Sequence, residues 1–169
     1  MEPKQLFRYC PRCGVECEPG SNPLTCPACD FHYYFNPTCA AGAFIFDSEG
    51  RALFIKRAKD PAKGKLGIPG GFIDIGESAE EALRREVREE VNLEIDGIAF
   101  LGSHPNSYLY RDVAYPVCDL IFTARVVDAT ATQSLDGVDG YVWRMVKDVE
   151  AEELAFPSMQ KSLGLLKAR

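Results

Sequence analysis

The 169-residue chain lacks an apolar run of the roughly 18–20 residues that a membrane-spanning helix needs. Its first residues, MEPKQLFRYC, lack the apolar segment of a secretory signal, so we expect a cytoplasmic protein. Positive charge is not in excess either, since the formal net charge is −6 at pH 7. This acidity argues against a broad nucleic-acid-binding surface, because such surfaces are basic. We therefore expect neither a membrane nor a nucleic acid as the main partner.

Cysteine, in contrast, is present in a pattern. Five of the seven cysteines fall within the first thirty residues. Cys10 and Cys13 form one C-x-x-C pair, and Cys26 and Cys29 form a second pair after a gap of twelve residues. Two such pairs supply four thiolates, the tetrahedral ligand set that structural Zn²⁺ prefers. We expect residues 1–36 to form a zinc ribbon that these four cysteines hold together.

The other interpretations of the cysteines are less complete. Buried thiols or a redox pair would not explain why the C-x-x-C unit occurs twice, each time with an internal proline. A ribbon of this kind can bind nucleic acid, but few basic residues lie near it. Cys17 has no assigned role, and we expect Cys39 and Cys118 to be core residues because their surroundings are apolar.

After Asn36-Pro37 the composition becomes that of a mixed α/β domain, which we place at residues 37–169. Runs in which apolar and polar residues alternate, and short continuous apolar runs, indicate strands. A stretch rich in Lys, Gly and Pro at 59–71 indicates a loop. Ser78 and Glu81 match a helix capping box. The predicted strands lie at 39–47, 52–57, 98–103, 108–111, 117–127 and 141–145, and the predicted helices at 78–91 and from Pro157 onward.

The helix at 78–91 breaks the usual packing rule. At about 100° per residue, Glu86 and Glu90 fall on its apolar side and Glu89 falls at the border. Buried carboxylates are unfavourable unless a cation or hydrogen-bond donors compensate them. A neighbouring arginine could compensate one of the three but not all of them. Oxygen ligands gathered at one place favour Mg²⁺ or Mn²⁺.

The segment from Gly71 to Leu93 resembles the Nudix box, G-x5-E-x7-R-E-U-x-E-E-x-G-U, in which U is aliphatic. The match fails only at Asn92, where the family has glycine. Asparagine is the next best residue for a left-handed backbone after a helix. We therefore expect the difference to affect the turn and to leave the carboxylates unchanged.

The resemblance implies a Nudix α/β/α sandwich with a mixed sheet and a Mg²⁺-dependent (or Mn²⁺-dependent) pyrophosphohydrolase. It implies Glu86 and Glu90 as the principal metal ligands, with Glu89 as a further ligand or the base. The Gly70 carbonyl is an additional ligand candidate. Two further roles are implied: Glu77 and Arg85 form a supporting pair, and Asp136 or Asp139 are the alternatives to Glu89 as base.

A zinc ribbon followed by a Nudix domain is similar to the NADH pyrophosphatase branch of the family. That branch carries a motif close to S-Q-P-W-P-F-P-x-S, of which this chain keeps Phe156-Pro157-Ser158 and lacks the leading part. We also expect this protein to lack the extra N-terminal domain of that branch. We therefore expect ADP-ribose or a similar nucleoside diphosphate derivative to be at least as good a substrate as NADH. Phe156 and Ser158 are candidate substrate contacts, and Arg57 is a candidate phosphate contact.

The rival hypothesis is a noncatalytic module, in which a Nudix fold senses a nucleotide or the ribbon docks to nucleic acid or protein. The complete set of three glutamates argues against this hypothesis, because a site that has lost its catalytic activity has no physical need for three carboxylates together. The sequence does not decide the natural substrate, the cellular process, or whether the protein is a monomer or a homodimer.

Overall fold

The computed structural model describes residues 1–168. The chain forms two compact units. The first comprises Met1–Thr38 together with Ser107–Val117, and the second comprises Cys39–Asn106 and the chain from Cys118 onward. In the described part of the chain, neither helix has the length and apolar character needed to cross a membrane.

The part of the first unit that precedes residue 38 contains little regular structure. Its strands β1 (Leu24–Thr25) and β2 (His32–Tyr33) form an antiparallel pair. Its small core consists of Leu24 and the thiols of three cysteines, with aromatic rings packed against them. A module of this size cannot bury enough apolar surface to be stable alone, so an additional cross-link such as a metal is physically expected.

The main sheet belongs to the second unit except for Thr38 and its residues within 107–117, which belong to the first. Its strands are β3 (Thr38–Phe46), β4 (Ala52–Arg57), β5 (Leu66–Gly67), β6 (Gly70–Phe72), β7 (Ile95–Tyr110), β8 (Val113–Val126) and β9 (Val138–Arg144). The strand order is β5-β4-β3-β8-β7, while β6 pairs with β3 and β9 pairs with β4. The helices of the described chain are α1 (Ala79–Val91) and α2 (Pro157–Lys167).

Each helix covers a different face of this sheet. Successive strand residues point to opposite faces, and β3 illustrates this with Ile45 on one side and Phe44 on the other. Ile45 packs in the cluster that contains Leu83 and Val87 of α1, whereas Phe44 packs in the cluster that contains Leu163 of α2. This arrangement is the predicted α/β/α sandwich, and the helix bounds at 78–91 and from Pro157 are also confirmed.

Several expectations were wrong in detail. The two strands predicted at 98–103 and 108–111 are one strand, β7, which runs through Pro105. Proline is tolerated there because β7 ends the strand order, where a missing N–H breaks no ladder. The predicted loop at 59–71 contains β5 and the start of β6. Cys39 is exposed, because β3 becomes buried only after its first residues, and Cys118 in β8 is only half-buried.

Candidate active site and candidate metal centre

Helix α1 is defined at both ends by local hydrogen bonds. The Ser78 hydroxyl accepts from the Glu81 N–H, and the Glu81 carboxylate accepts from the Ser78 N–H at 2.8 Å, which is the predicted capping box. Asn92 ends the helix with a left-handed backbone, φ 56° and ψ 39°. The expectation for Asn92 is therefore confirmed, and the helix ends as the family motif requires.

A glycine strand lies directly against this helix. Strand β6 is antiparallel to β3, with Gly70 opposite Gly42 and Gly71 opposite Ala41. An added Cβ at Gly71 would lie 2.5 Å from the Glu86 carboxyl carbon, closer than any real contact. Only glycine lets the backbone approach the Glu86 carboxylate this closely.

Glu90 is held by the same strand. The Gly70 N–H donates a hydrogen bond to Glu90 Oε2 at 3.0 Å. Burial raises the pKa of Glu90 to about 8, and the charges of Glu86 and Asp136 act in the same direction. The Gly70 N–H and the Arg57 charge act in the opposite direction. Glu90 is thus a half-buried acid whose charged form a nearby cation would favour.

Arg85 connects the remaining acidic groups. Its Nε and Nη2 donate to the two Glu77 oxygens at 2.8 and 2.9 Å, and Nη2 also donates to the Phe72 carbonyl at 3.0 Å. Its Nη1 donates to Glu86 at 2.8 Å and to Glu89 at 3.3 Å. The Arg85 guanidinium lowers the pKa of Glu77 to about 2. This is the geometry that a supporting pair needs, because it fixes the turn before α1 relative to two of its glutamates.

The three helix glutamates differ in exposure and do not converge as expected. The Glu86 side chain is 18% exposed and the Glu89 side chain 55%. Within residues 1–168, the group of at least three ligating side chains whose ligand atoms all lie within 4.8 Å is the cysteine group, and not the glutamates. Glu86 and Glu89 share Arg85 as a partner, whereas Glu90 is bonded to the Gly70 N–H, so the three carboxylates are held by two different partners.

Of the two aspartates considered as the base, Asp136 is carried by a loop that is hydrogen-bonded to the end of α1. The Leu135 N–H donates to the Glu90 carbonyl at 2.9 Å, which ties the loop carrying Asp136 to the end of α1. Asp136 also acts on the pKa of Glu90, and its carboxylate lies 3.3 Å from the Lys59 ammonium. Asp139 pairs with Lys56 at 3.5 Å on the neighbouring strand.

Of the candidate substrate contacts, Phe156 (8% exposed) and Ser158 are buried, and Arg57 is half-buried. The Arg57 guanidinium lies 4.9 Å from the centre of the Phe156 ring, and its Nε donates to the Pro61 carbonyl at 2.9 Å. Ser158 has no exposed surface, and its hydroxyl donates to Asp119 Oδ2 at 2.5 Å. This burial contradicts the expected substrate contact of Ser158, whose side chain instead holds the start of α2 in place.

Asp119 was missed by the sequence reasoning. It is a buried carboxylate in β8, between Val117 and Ile121, which are buried as well. A signal for it did exist, because an acidic residue at an inward position of an apolar strand needs a buried partner.

The four cysteines of the first unit form a compact cluster. Cys10 Sγ and Cys29 Sγ lie 3.8 Å apart, and Cys13 Sγ and Cys26 Sγ lie 3.5 Å apart. A tetrahedral ion with bonds of about 2.3 Å to sulfur places its ligands about 3.8 Å from one another. The spacing of the sulfurs therefore fits a four-thiolate metal centre.

Each cysteine pair is carried by the same turn. The first cysteine N–H donates to a carbonyl five residues later, and its own carbonyl accepts from an N–H four residues later. The bonds are Cys10 to Val15 and Gly14 to Cys10 in one turn, and Cys26 to Phe31 and Asp30 to Cys26 in the other. Gly14 and Asp30 both have left-handed backbones, with φ 75° and 52°. The repeated geometry explains why both pairs present their sulfurs on one side.

The Cys26 thiol of this cluster loses its proton more readily than an ordinary cysteine thiol. Burial raises the pKa of Cys26, but the N–H groups of Ala28 and Cys29 and the neighbouring thiols outweigh burial and lower it to about 6. The thiolate is the form that binds metal. Cys17 is buried beside the cluster and its thiol donates to the Val15 carbonyl.

Comparison with known proteins agrees with this geometry. A family model described as the NUDIX domain matches residues 37–163. The chain is 35% identical over 98 residues to an NAD-capped RNA hydrolase NudC of Pseudomonas fluorescens, covering 57% of this chain and 35% of that protein. It is 32% identical over 99 residues to an ADP-ribose pyrophosphatase of Methanocaldococcus jannaschii, covering 57% and 56%. The chain thus spans between a third and three fifths of these relatives.

Among solved structures, a crystal structure of a NUDIX hydrolase from Nitrosomonas europaea is similar, with a TM-score of 0.70 and 21% identity. The match covers 93% of this chain and 88% of that one. At this identity the likeness concerns the fold alone.

Proposed function

The chain belongs to the Nudix family, and we propose that it hydrolyses the pyrophosphate bond of a nucleoside diphosphate linked to another moiety, such as ADP-ribose or NADH. The observation that carries the proposal is the contact of α1 with the glycine strand. Glu86 lies against the Gly71 backbone and Glu90 is bonded to Gly70, so two carboxylates lie beside backbone that carries no side chain.

We propose that Glu86, Glu89, Glu90 and the Gly70 carbonyl hold Mg²⁺ or Mn²⁺. The donor set fits, because these are hard oxygen ligands and the half-buried Glu90 gains a counter-charge from a cation. When bound, such an ion supplies positive charge at the diphosphate oxygens and acidity to the attacking water.

The other residues hold the glutamates in position or neutralise the charge of the substrate phosphates. Arg85 and Glu77 keep Glu86 and Glu89 in place, and Arg57 binds a phosphate oxygen. Glu89 is the most exposed of the three glutamates that we assign to the metal and is our choice for the base that takes the water proton, with Asp136 as the alternative.

We further propose that Cys10, Cys13, Cys26 and Cys29 bind structural Zn²⁺. A closed four-thiolate site leaves no position for a substrate, so this metal has no catalytic step. We propose residues 1–36 as the zinc ribbon and residues 37–169 as the Nudix domain. Reduced cysteines also favour an intracellular location.

We propose ADP-ribose as a substrate at least as good as NADH. The names of the two relatives, an NAD-capped RNA hydrolase and an ADP-ribose pyrophosphatase, both describe adenosine diphosphate compounds. The chain lacks the leading part of the S-Q-P-W-P-F-P-x-S motif, which argues against a strict NADH preference.

The test is a substrate panel with Mg²⁺ in ¹⁸O-labelled water. We expect AMP as one product from ADP-ribose and NADH, with the label on a phosphate of one product. Release of free nicotinamide or adenine with the pyrophosphate intact would exclude this chemistry. Tight binding of ADP-ribose with no turnover would favour the noncatalytic nucleotide sensor instead.

A further inference from the structure

We infer that Asp119 is a positioning residue for Arg57. Through Ser158 and the Phe156 ring, it determines where the Arg57 guanidinium lies beside the candidate active site. The catalytic consequence rests on the proposed function, in which Arg57 binds a substrate phosphate, whereas the structural link does not.

Asp119 is buried and accepts hydrogen bonds from two neighbouring side chains. Its carboxylate is 8% exposed and accepts from the Ser158 hydroxyl at 2.5 Å and from the Asn106 side-chain amide at 2.8 Å. Both donors reach Oδ2. A buried carboxylate is strongly unfavourable without such donors, and hydrogen bonds to a charged oxygen are the strong ones. Asp119 therefore joins β8, β7 and the first turn of α2.

Ser158 and Phe156 are linked through the start of α2. Ser158 is the second residue of α2, after Pro157, and Phe156 is the residue before the helix. Proline restricts its own φ and the backbone of the residue before it, so little freedom remains between Phe156 and Ser158. The side chain of Phe156 forms no hydrogen bond that caps α2. The charge of Asp119 lies near the N-terminus of α2, where the helix dipole favours an anion. Anchoring Ser158 thus anchors the Phe156 ring.

The Phe156 ring in turn contacts the Arg57 guanidinium. The guanidinium lies 4.9 Å from the Phe156 ring centre, a distance typical of a cation–π contact. Its Nε is bonded to the Pro61 carbonyl at 2.9 Å, which leaves the ring as the second restraint. The Arg57 charge acts on the Glu90 carboxylate, so the guanidinium lies within electrostatic reach of the proposed metal ligands.

A merely structural role for Asp119 makes a different prediction. In that case its loss would lower stability and leave the Arg57 guanidinium where it is. The experiment must therefore observe Arg57 itself.

We suggest NMR of the full, ¹⁵N-labelled chain, in which the Arg57 Nε–H signal is identified by its loss in Arg57→Lys. We expect Asp119→Ala to move this signal towards that of solvated arginines and to speed its exchange with water. Ser158→Ala removes the same hydrogen bond from the other side and should act in the same way. Asp119→Asn, which keeps an acceptor oxygen, should restore most of the wild-type signal.

Asp47→Asn is the matched control, because the Asp47 side chain is only 2% exposed and is paired with Arg51 at 2.8 Å in the β3–β4 turn. It should leave the Arg57 signal unchanged. If Asp119→Ala and Ser158→Ala fold and the Arg57 signal does not move, the inference is overturned. Should Asp119→Ala fail to fold, Ser158→Ala alone decides.

Kinetics with ADP-ribose and Mg²⁺ test the consequence. We expect Asp119→Ala to raise KM roughly 10-fold, the loss typical of a charge-assisted hydrogen bond, with a smaller change in kcat. In an Arg57→Gln background the same change should alter KM less than about 2-fold, because residues acting through one another are not additive. Full additivity would overturn the link. If the wild-type chain turns over no substrate, the proposed function fails, and the NMR result still decides the role of Asp119.

Discussion

The backbone N–H of Gly70 donates to the Glu90 carboxylate at 3.0 Å, so the glycine strand and the metal-binding side of α1 form one hydrogen-bonded unit. The bond depends on a backbone that other residues adopt with difficulty, since Gly70 has φ +143°. The chemistry proposed for Glu90 therefore depends on the absence of a side chain twenty residues earlier.

Gly70→Ala should strongly destabilise the fold. Its Cβ would lie 2.2 Å from the Ala41 carbonyl oxygen, and backbone strain adds to this clash. We expect a loss of about 3 kcal/mol or more in the free energy of unfolding, measured by urea denaturation. Gly76→Ala is the control, because Gly76 also has positive φ (+93°) but has open space around it, so strain alone should lower stability by about 1 kcal/mol. Equal losses in the two variants would contradict the clash.

Gly71→Ala should reduce activity more than stability. The new Cβ would meet the Glu86 carboxylate, a side-chain end that can move, and moving it misplaces a proposed metal ligand. We expect roughly a 100-fold loss in kcat/KM for ADP-ribose, because small misplacements at a reacting centre are costly. In Gly67→Ala the added Cβ has its nearest neighbour at 3.6 Å, so that variant should be nearly as active as the wild type.

Glu86→Gln and Glu90→Gln should each abolish most turnover while the fold is retained. Both changes keep the shape of the side chain and remove the charge that holds the divalent metal. A loss of about 10²–10³-fold in kcat is expected when such electrostatic stabilisation is removed. Glu80→Gln, in the exposed first turn of the same helix, is the control. Activity within a factor of two of wild type in Glu86→Gln or Glu90→Gln would refute their assignment.

Purified protein should contain zinc close to equimolar with the chain, without zinc being added. Cys26→Ser should lose this zinc and expose the first unit to proteolysis, because one thiolate of the tetrahedral set is gone. The control is Cys39→Ser, since Cys39 is an exposed cysteine outside the cluster. Metal analysis and limited proteolysis provide the measurements, and a folded first unit without metal would disprove the zinc site.

The Glu77–Arg85 pair should stabilise the protein in a defined pH range. The pKa of Glu77 falls from 4.5 to about 2 in the folded chain, so its stabilising effect is fully present above the unfolded value. It should disappear as the pH falls from about 4.5 towards 2, where the carboxylate takes up a proton in both states. The difference in the free energy of unfolding between wild type and Glu77→Gln, followed across this range, measures it. A difference independent of pH would show that the pair is not what Glu77 contributes.

Local features of this protein were predictable from its sequence because short-range geometry decides them. A helix repeats every 3.6 residues, so the spacing of Ser78 and Glu81 specified the capping box, and Asn92 specified the left-handed helix end. Two residues between cysteines likewise determine where their sulfurs lie, which is why two such pairs, Cys10 with Cys13 and Cys26 with Cys29, were enough to indicate a metal centre.

The tertiary structure decided everything that depends on contacts between distant segments. The hydrogen bond between Ser158 and Asp119 joins residues 39 positions apart, and no local pattern encodes which strand meets which helix end. The same holds for the burial of Ser158, the exposure of Cys39, and the close approach of Gly71 to Glu86. Backbone periodicity sets which side of an element a residue occupies, but only the packing of one element on another sets what that side touches.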